Sequence, residues 1–363
     1  MREDVLAVFA VVLGAIVGSF LNACIHRMPR NISLGNPKRS FCPACNKSIP
    51  WYENLPLVSW LVLRGKCSSC HAKISPRYFL VELLTAGLFF AAWWVYHLPL
   101  APVYWLFLSL LIVATFIDIE HFIIPDEITW GGTIAGVVLS VLLPQMMQTD
   151  SRWQAAGLSV AGAALGFGLL WLVVEGGKLA FGKKKHHFPE GSVFEWKRDG
   201  DRADLTIGEE VLRWEDIFSR ETDEMSLHCS AWEIEGKSSE PGTIRFRYDR
   251  LFHSGTETPL DSILTLRGTL TTITIPREAM GFGDVKFIAA IGAFLGWQAV
   301  LFTIFASSII GCVAGLAGLF LARDKSGSRI PFGPFLAVAA AWWLFGGDKL
   351  FAWYFSLFDR SPY

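Results

Sequence analysis

Residues 103–126 read VYWLFLSLLIVATFIDIEHFIIPD. An uncharged apolar run from Val103 to Ile117 ends at Asp118, and Pro125 then stops helix continuation ahead of Asp126. Runs of this kind mark membrane helices, which need ~20 mostly apolar residues, fewer where their ends snorkel. A carboxylate at the end of such a run is costly to hold there and is a functional candidate by default.

Working outward, the same character recurs in Val5–Cys24, Phe79–Leu98, Ile128–Leu143, Ala155–Phe181, Val285–Phe294, Val300–Ala322 and Pro331–Phe345. These blocks explain why 52% of the 363 residues are hydrophobic, and they replace the usual expectation of two or three globular domains. The fold class they predict is an α-helical multi-spanning membrane protein with about eight transmembrane helices. Its implied surroundings are a lipid bilayer. A formal net charge of −1 gives no reason to expect a nucleic-acid partner. The first block follows MRED, with one arginine against two acids, and no small-residue cleavage site leads into a secreted domain. It is expected to be a retained helix, not a signal peptide.

Orientation follows from the short loops. Between the first two blocks lie Arg27, Arg30, Lys38, Arg39, Lys47, Arg64, Lys66, Lys73 and Arg77, against the acid Glu53. That loop should be cytoplasmic, with the N-terminus outside. Counting helices alternately puts 118–127 inside and 144–153 outside. Lys183, Lys184 and Lys185 then fall inside, as do Arg323, Lys325 and Arg329, so the basic clusters agree on one parity. The expected organisation is a first helix at 1–25, a cytoplasmic four-cysteine module at 26–78 and helices with the first catalytic Asp at 79–182. A β-rich cytoplasmic insert at 183–277 and the remaining helices at 278–363 complete it. In the insert, residues 243–248 and 270–275 alternate polar and apolar, and turn signals at Asp199-Gly200-Asp201, Pro241-Gly242 and Ser254-Gly255 separate the strands. His186, His187, His228, Cys229 and His253 are scattered there and read as ordinary surface or core residues.

Cys42, Cys45, Cys67 and Cys70 form two C-x-x-C knuckles about twenty residues apart. Each knuckle supplies two thiolates from one tight turn, and four thiolates suit one structural Zn²⁺. Disulfides are disfavoured in a loop facing the reducing cytoplasm. Cys24 and Cys312 lie in apolar helices and read as small apolar residues. Between the knuckles, residues 51–60 either pack on the membrane face or line a pocket with Glu53 and Lys66 as its polar groups.

A second acid of the same kind, Asp284, sits in Gly281-Phe282-Gly283-Asp284-Val285-Lys286 directly before an apolar helix. Glycines beside it let another backbone or an extended substrate approach closely. Like charges a few Å apart in a poorly solvated site cannot both ionise cheaply, so such a pair shares a proton. One partner activates water while the other polarises a scissile carbonyl. The alternative is that Asp118 and Asp284 cap helices or pair with Lys286 or His121. Asp126, after Pro125, is placed to cap the next helix, and either Asp118 or Asp126 is the first partner, with Asp118 favoured because it ends the apolar run.

Taken in order, these motifs resemble the bacterial prepilin peptidase family, the type 4 prepilin-like leader peptidases. Gly281-Phe282-Gly283-Asp284 matches the G-x-G-D hallmark, and Asp118 with Pro125-Asp126 matches the earlier partner motif. Further matches are Gly18-Ser19-Phe20-Leu21-Asn22, Cys42-Pro43-x-Cys45, Glu53-Asn54-x-Pro56, Arg64-Gly65-Lys66-Cys67-x-x-Cys70, Tyr78-x-x-Val81-Glu82 and Pro331-Phe332-Gly333-Pro334. G-x-G-D alone is shared with presenilin-type proteases; the ordered set, over residues 5–182 and 276–345, is specific. The resemblance implies a bacterial inner-membrane enzyme that cuts leaders from type IV prepilins or type II secretion pseudopilins at the cytoplasmic face. It also implies N-methylation of the new N-terminus with S-adenosylmethionine, associated with the cysteine loop and so with Glu53, Gly65 and Lys66. The departure is the insert, longer than the connection expected there. A transporter would show inverted repeats, and no internal symmetry is visible. A non-enzymatic receptor or scaffold gives no reason for two acids at one membrane face.

Overall fold

The computed structural model describes residues 2–36, 40–42, 44–181, 183–199, 202–208, 210–218, 223–276, 280–321 and 330–359. Lys38, Arg39, Gly200, Asp201, Arg323, Lys325 and Arg329, which carry part of the charge and turn arguments, lie outside the described residues. In chain order the helices are α1 (Arg2–Arg27), α2 (Val58–Val62), α3 (Pro76–His121), α4 (Asp126–Leu142) and α5 (Arg152–Phe181). After the strands of the insert and its short helix α6 (Trp214–Ile217) come α7 (Phe282–Leu321), α8 (Gly333–Trp342) and α9 (Asp348–Asp359). Contacts divide the chain into a helical unit, Met1–Trp171 with Gly281–Tyr363, and an insert, Leu172–Met280.

Among the described residues five helices are long and apolar enough to cross a membrane: Asp4–Arg30, Pro76–His121, Arg152–Leu179, Phe282–Gly318 and Gly333–Leu357. Three of them are not single rods, and Gly333–Leu357 is interrupted at Phe345 and Gly346. α3 breaks at His97 and Leu98, ahead of Pro99 and Pro102. Beyond the break its second limb folds back on the first. Trp105 stacks on Phe89 with ring centroids 5.2 Å apart and donates Nε1–H to the Phe89 carbonyl at 2.9 Å. Arg77 in the first turn forms an ion pair with Glu120 in the last. Both ends of α3 therefore lie together. α7 turns at Gly296, whose φ of 81° only glycine adopts without strain. A Cβ on Gly292 would come 2.8 Å from Val300 Cγ2, whereas eight residues of straight helix span about 12 Å.

The start of α3 is set by Pro76 at its first position and by Ser75, whose hydroxyl oxygen accepts from the Arg77 N–H. α1 packs against this first limb through Gly14 and Gly18, a small-x-x-x-small face that lets two backbones touch. A Cβ at Gly14 would lie 2.7 Å from Ala86 Cα, and one at Gly18 would lie 2.7 Å from Glu82 Cα. That close approach brings the C-terminal end of α1 beside Tyr78 and Glu82, where Asn22 Nδ2 donates to the Tyr78 carbonyl at 2.9 Å.

The insert is β-rich, as its alternation predicts. Its strands are β1 (Lys183–Asp199), β2 (Arg202–Ile207), β3 (Glu210–Arg213), β4 (Met225–Ile234), β5 (Lys237–Ser239), β6 (Gly242–Phe246), β7 (Arg250–His253), β8 (Thr256–Pro259) and β9 (Thr265–Pro276). They form one antiparallel sheet in the order β3-β2-β1-β9-β4-β6-β7-β8, with β5 on β4. Phe194, Trp196, Leu205, Leu227, Phe246 and Leu270 are among its buried core. Ser254 and Gly255 both have positive φ and close the β7–β8 hairpin, as the type I′ turn requires. His187 and His228 are exposed and bond Thr272 and Thr243, and Cys229 is buried.

Candidate functional site

Asp118 lies in the last turn of α3 and Asp284 in the first turn of α7. Both are buried, at 6% and 8% exposure. Gly333, at the start of α8, donates its backbone N–H to Asp118 Oδ2 at 3.0 Å. Asp284 Oδ1 is buried with no hydrogen-bond partner, and Asp118 lies within coulombic reach of Asp284. Ile124 packs on glycines beside both acids: a Cβ on Gly283 would meet it at 3.3 Å, and one on Gly333 at 3.0 Å. Neither acid is paired with Lys286, and Asp118 receives the first N–H of α8. An acid pair from separate helices, held by a backbone N–H and stripped of neutralising partners, can share a proton and act on water and a carbonyl.

Asp126 is placed differently. The N-cap of α4 is Pro125, with no side-chain capping bond, so Asp126 is not the helix cap that its position after Pro125 suggests. It occupies the first helical position, and its carboxylate is taken by Lys286 instead, with Nζ 2.6 Å from Oδ1. An ammonium reaching across from α7 offers Asp126 more than the backbone N–H groups of its own helix.

Each cysteine knuckle closes in the same way. The Asn46 N–H bonds the Cys42 carbonyl at 2.8 Å and the His71 N–H bonds the Cys67 carbonyl at 3.0 Å. Asn46 and His71 both have positive φ. The result brings the sulfurs of Cys42, Cys45, Cys67 and Cys70 within 4.8 Å of one another, and Cys42 Sγ lies 3.7 Å from Cys70 Sγ. Zn–S bonds of about 2.3 Å in a tetrahedron need sulfurs about 3.8 Å apart, so the donor set fits a metal ion. None of the four is in a disulfide. Backbone N–H groups of Cys70 and then Ser69 hold the Cys67 thiol down at about 7, while, against the Ala72 N–H, desolvation and the neighbouring thiols push Cys70 up to about 11.

Beside this cluster is a cavity of about 350 Å³, within the range of small-molecule sites. Glu53 and Trp60 from the cysteine module, and Asn22, His26, Tyr78 and Glu82 from α1 and α3, are among its lining. Glu53 accepts from the Ser68 hydroxyl at 2.6 Å, and Glu82 Oε2 accepts the Leu57 N–H at 2.7 Å. Of the three residues the sequence associates with a cofactor, Glu53 lines the cavity. Gly65 lies under Trp60, where a Cβ would meet the indole at 3.0 Å. Lys66 is exposed and outside the lining. Asn22 and Glu82 stand in matched motifs without an assigned role. Glu82 is legible by the same rule that marks Asp118, a carboxylate within an apolar block.

Comparison with known proteins locates these features. The family profile described as Bacterial Peptidase A24 N-terminal domain matches residues 12–96. The one described as Type IV leader peptidase family matches residues 105–198 and 255–316. The unmatched stretch between its two parts falls in the insert. A prepilin leader peptidase/N-methyltransferase of Aeromonas hydrophila is 29% identical over 94% of this chain and 91% of its own length. The protein of that name from Pseudomonas aeruginosa is 29% identical over 94% of this chain and 90% of its own. One from Myxococcus xanthus is 46% identical over 44% of this chain and 46% of its own. No solved structure matches.

Proposed function

Because the chain belongs to the type IV leader peptidase family, we propose that it removes leaders from type IV prepilins or type II secretion pseudopilins and then N-methylates the new N-terminus. Asp118 and Asp284 are the cleaving pair in this reading. The observation that carries it is the meeting of two buried carboxylates from α3 and α7 around Ile124 and the Gly333 N–H. The ionised member takes a proton from water as its oxygen attacks the scissile carbonyl. The protonated member gives its proton to the carbonyl oxygen, and collapse of the adduct releases the leader with the proton passed to the new amine. Gly281 and Gly283 leave room for an extended substrate, and the Lys286–Asp126 pair anchors the first turn of α7.

The membrane arrangement we assign has eight crossings: α1, the two limbs of α3, α4, α5, the two limbs of α7 and Gly333–Leu357. Basic loops put the cysteine module and both aspartates at the cytoplasmic face. The Arg77–Glu120 pair supports a common face, since it joins the module's exit to the turn that carries Asp118.

One structural Zn²⁺ is assigned to Cys42, Cys45, Cys67 and Cys70, and S-adenosylmethionine to the adjoining cavity. When bound, that cofactor supplies the methyl group. The cavity suits it by Trp60 and Glu53 in its wall and by Trp60 Nε1, a buried donor without a partner. Glu53 would help hold the cofactor, with Gly65 acting through Trp60 and Lys66 standing outside the cavity lining. Purified protein incubated with a prepilin and S-adenosylmethionine should yield a product lacking the leader and heavier by one methyl group in mass spectrometry. Intact prepilin would overturn the reading, and a cut but unmethylated product would remove its second half.

A further inference from the structure

The cavity's two walls differ in chemistry. The cysteine module contributes Glu53, whose carboxylate is already engaged by Ser68. The membrane helices contribute Asn22, at 2% exposure, and Glu82, at 8%. Asn22 commits its amide N–H to the Tyr78 carbonyl, which fixes the amide's orientation and leaves Oδ1 as a buried acceptor without a partner. Glu82 is held by the Leu57 N–H, and Leu57 is itself strained, with φ of 62°. Strain of this kind persists where surrounding structure imposes it, often at functional sites. Gly18 packs directly on the Glu82 backbone, so the α1–α3 contact fixes both acceptors on neighbouring helices.

A buried carboxylate and an orphaned amide oxygen lining one cavity are both acceptors, and a ligand that satisfies both is a cation with several N–H donors. From this geometry we infer that Glu82 and Asn22 bind the primary α-ammonium that leader cleavage creates at the N-terminus of the mature protein. The inference rests on the methylation reading and deepens it, by naming which wall of the cavity takes the acceptor amine. The ammonium's N–H groups bond to the Glu82 carboxylate and to Asn22 Oδ1; before methylation one proton passes to Glu82, and the lone pair so freed faces the rest of the cavity. An N-acylated terminus has one N–H and no charge, so it loses the charge-assisted bonds that dominate such recognition.

The test uses the full-length protein in lipid nanodiscs and a mature pilin N-terminal peptide, once with a free α-amine and once α-N-acetylated. Wild-type protein should bind the free amine at least tenfold more tightly. In Glu82→Gln, which keeps an oxygen for the Leu57 N–H, that preference should fall below twofold, with zinc content and melting temperature unchanged. Asn22→Ala removes the orphaned Oδ1 and should lower the preference several fold. A tenfold preference surviving in a folded Glu82→Gln protein would overturn the inference. If Glu82→Gln does not fold, a tenfold preference surviving in a folded Asn22→Ala protein would overturn it. Wild-type protein that shows the amine preference but transfers no labelled methyl group would count against the methylation reading instead.

Discussion

Lys286 Nζ lies 2.6 Å from Asp126 Oδ1, tying the first turn of α7 to the first turn of α4. The lysine stands two residues beyond Asp284, yet its charge goes to the acid that is 63% exposed and not to either buried one. Asp118 and Asp284 are thus both buried and neither is paired with Lys286; two carboxylates that stay un-neutralised and close together share a proton.

Asp126→Asn should be mild. An exposed ion pair contributes about 0.2–1 kcal/mol, so the melting temperature should drop slightly and leader cleavage should stay within a few fold of wild type. A dead Asp126→Asn protein beside an active Asp118→Asn protein would show the first catalytic position to be Asp126.

Gly333→Ala should damage cleavage without unfolding the chain. The added methyl would come 2.7 Å from Asp118 Oδ2 and 3.0 Å from Ile124 Cδ1, displacing the carboxylate that the Gly333 N–H holds. A loss of tenfold or more in kcat is expected, equivalent to about 1.4 kcal/mol. Wild-type turnover in this variant would mean that the Asp118 contact to α8 has no part in the chemistry.

Elemental analysis should find one zinc per chain, and Cys42→Ser should lose the metal and loosen the module, since ligand geometry and local folding are linked. A folded, active preparation free of zinc would contradict the assignment.

Much of this was legible in the residues. The apolar blocks end at Leu98 and resume at Val103, and end at Phe294 and resume at Val300; α3 and α7 turn at His97–Leu98 and Gly296. Loss of apolar continuity beside Pro99 or Gly296 is a local signal, readable without the fold. Cysteine spacing was legible for the same reason, because each knuckle is one turn. What stayed hidden depends on partners distant in sequence. Asp118 receives an N–H from a residue 215 positions away, and Asp126 is claimed by a lysine 160 positions away, which overrides its local capping preference. Lys66 and Glu53 share one short module, but which of them faces the cavity is decided by the positive-φ turn at Arg64 and Gly65. Helices apolar on every side carry no phase, so nothing in the pattern of α1 or α3 shows that Asn22 and Glu82 face each other's cavity.

The orientation has its own test. A reporter fused after Lys185 should read as cytoplasmic and one fused near Gln148 as external. The reverse result at either point would break the eight-crossing arrangement and put the two aspartates at opposite faces.

Most direct is cleavage of a prepilin by Asp118→Asn and Asp284→Asn proteins that insert and carry zinc as wild type does. An amide has nearly the shape of a carboxylate but cannot take a proton from water, so removal of either partner ends the shared-proton mechanism. Each single variant is predicted to leave the leader attached, with no mature product in mass spectrometry; mature product from both variants would contradict the aspartyl mechanism.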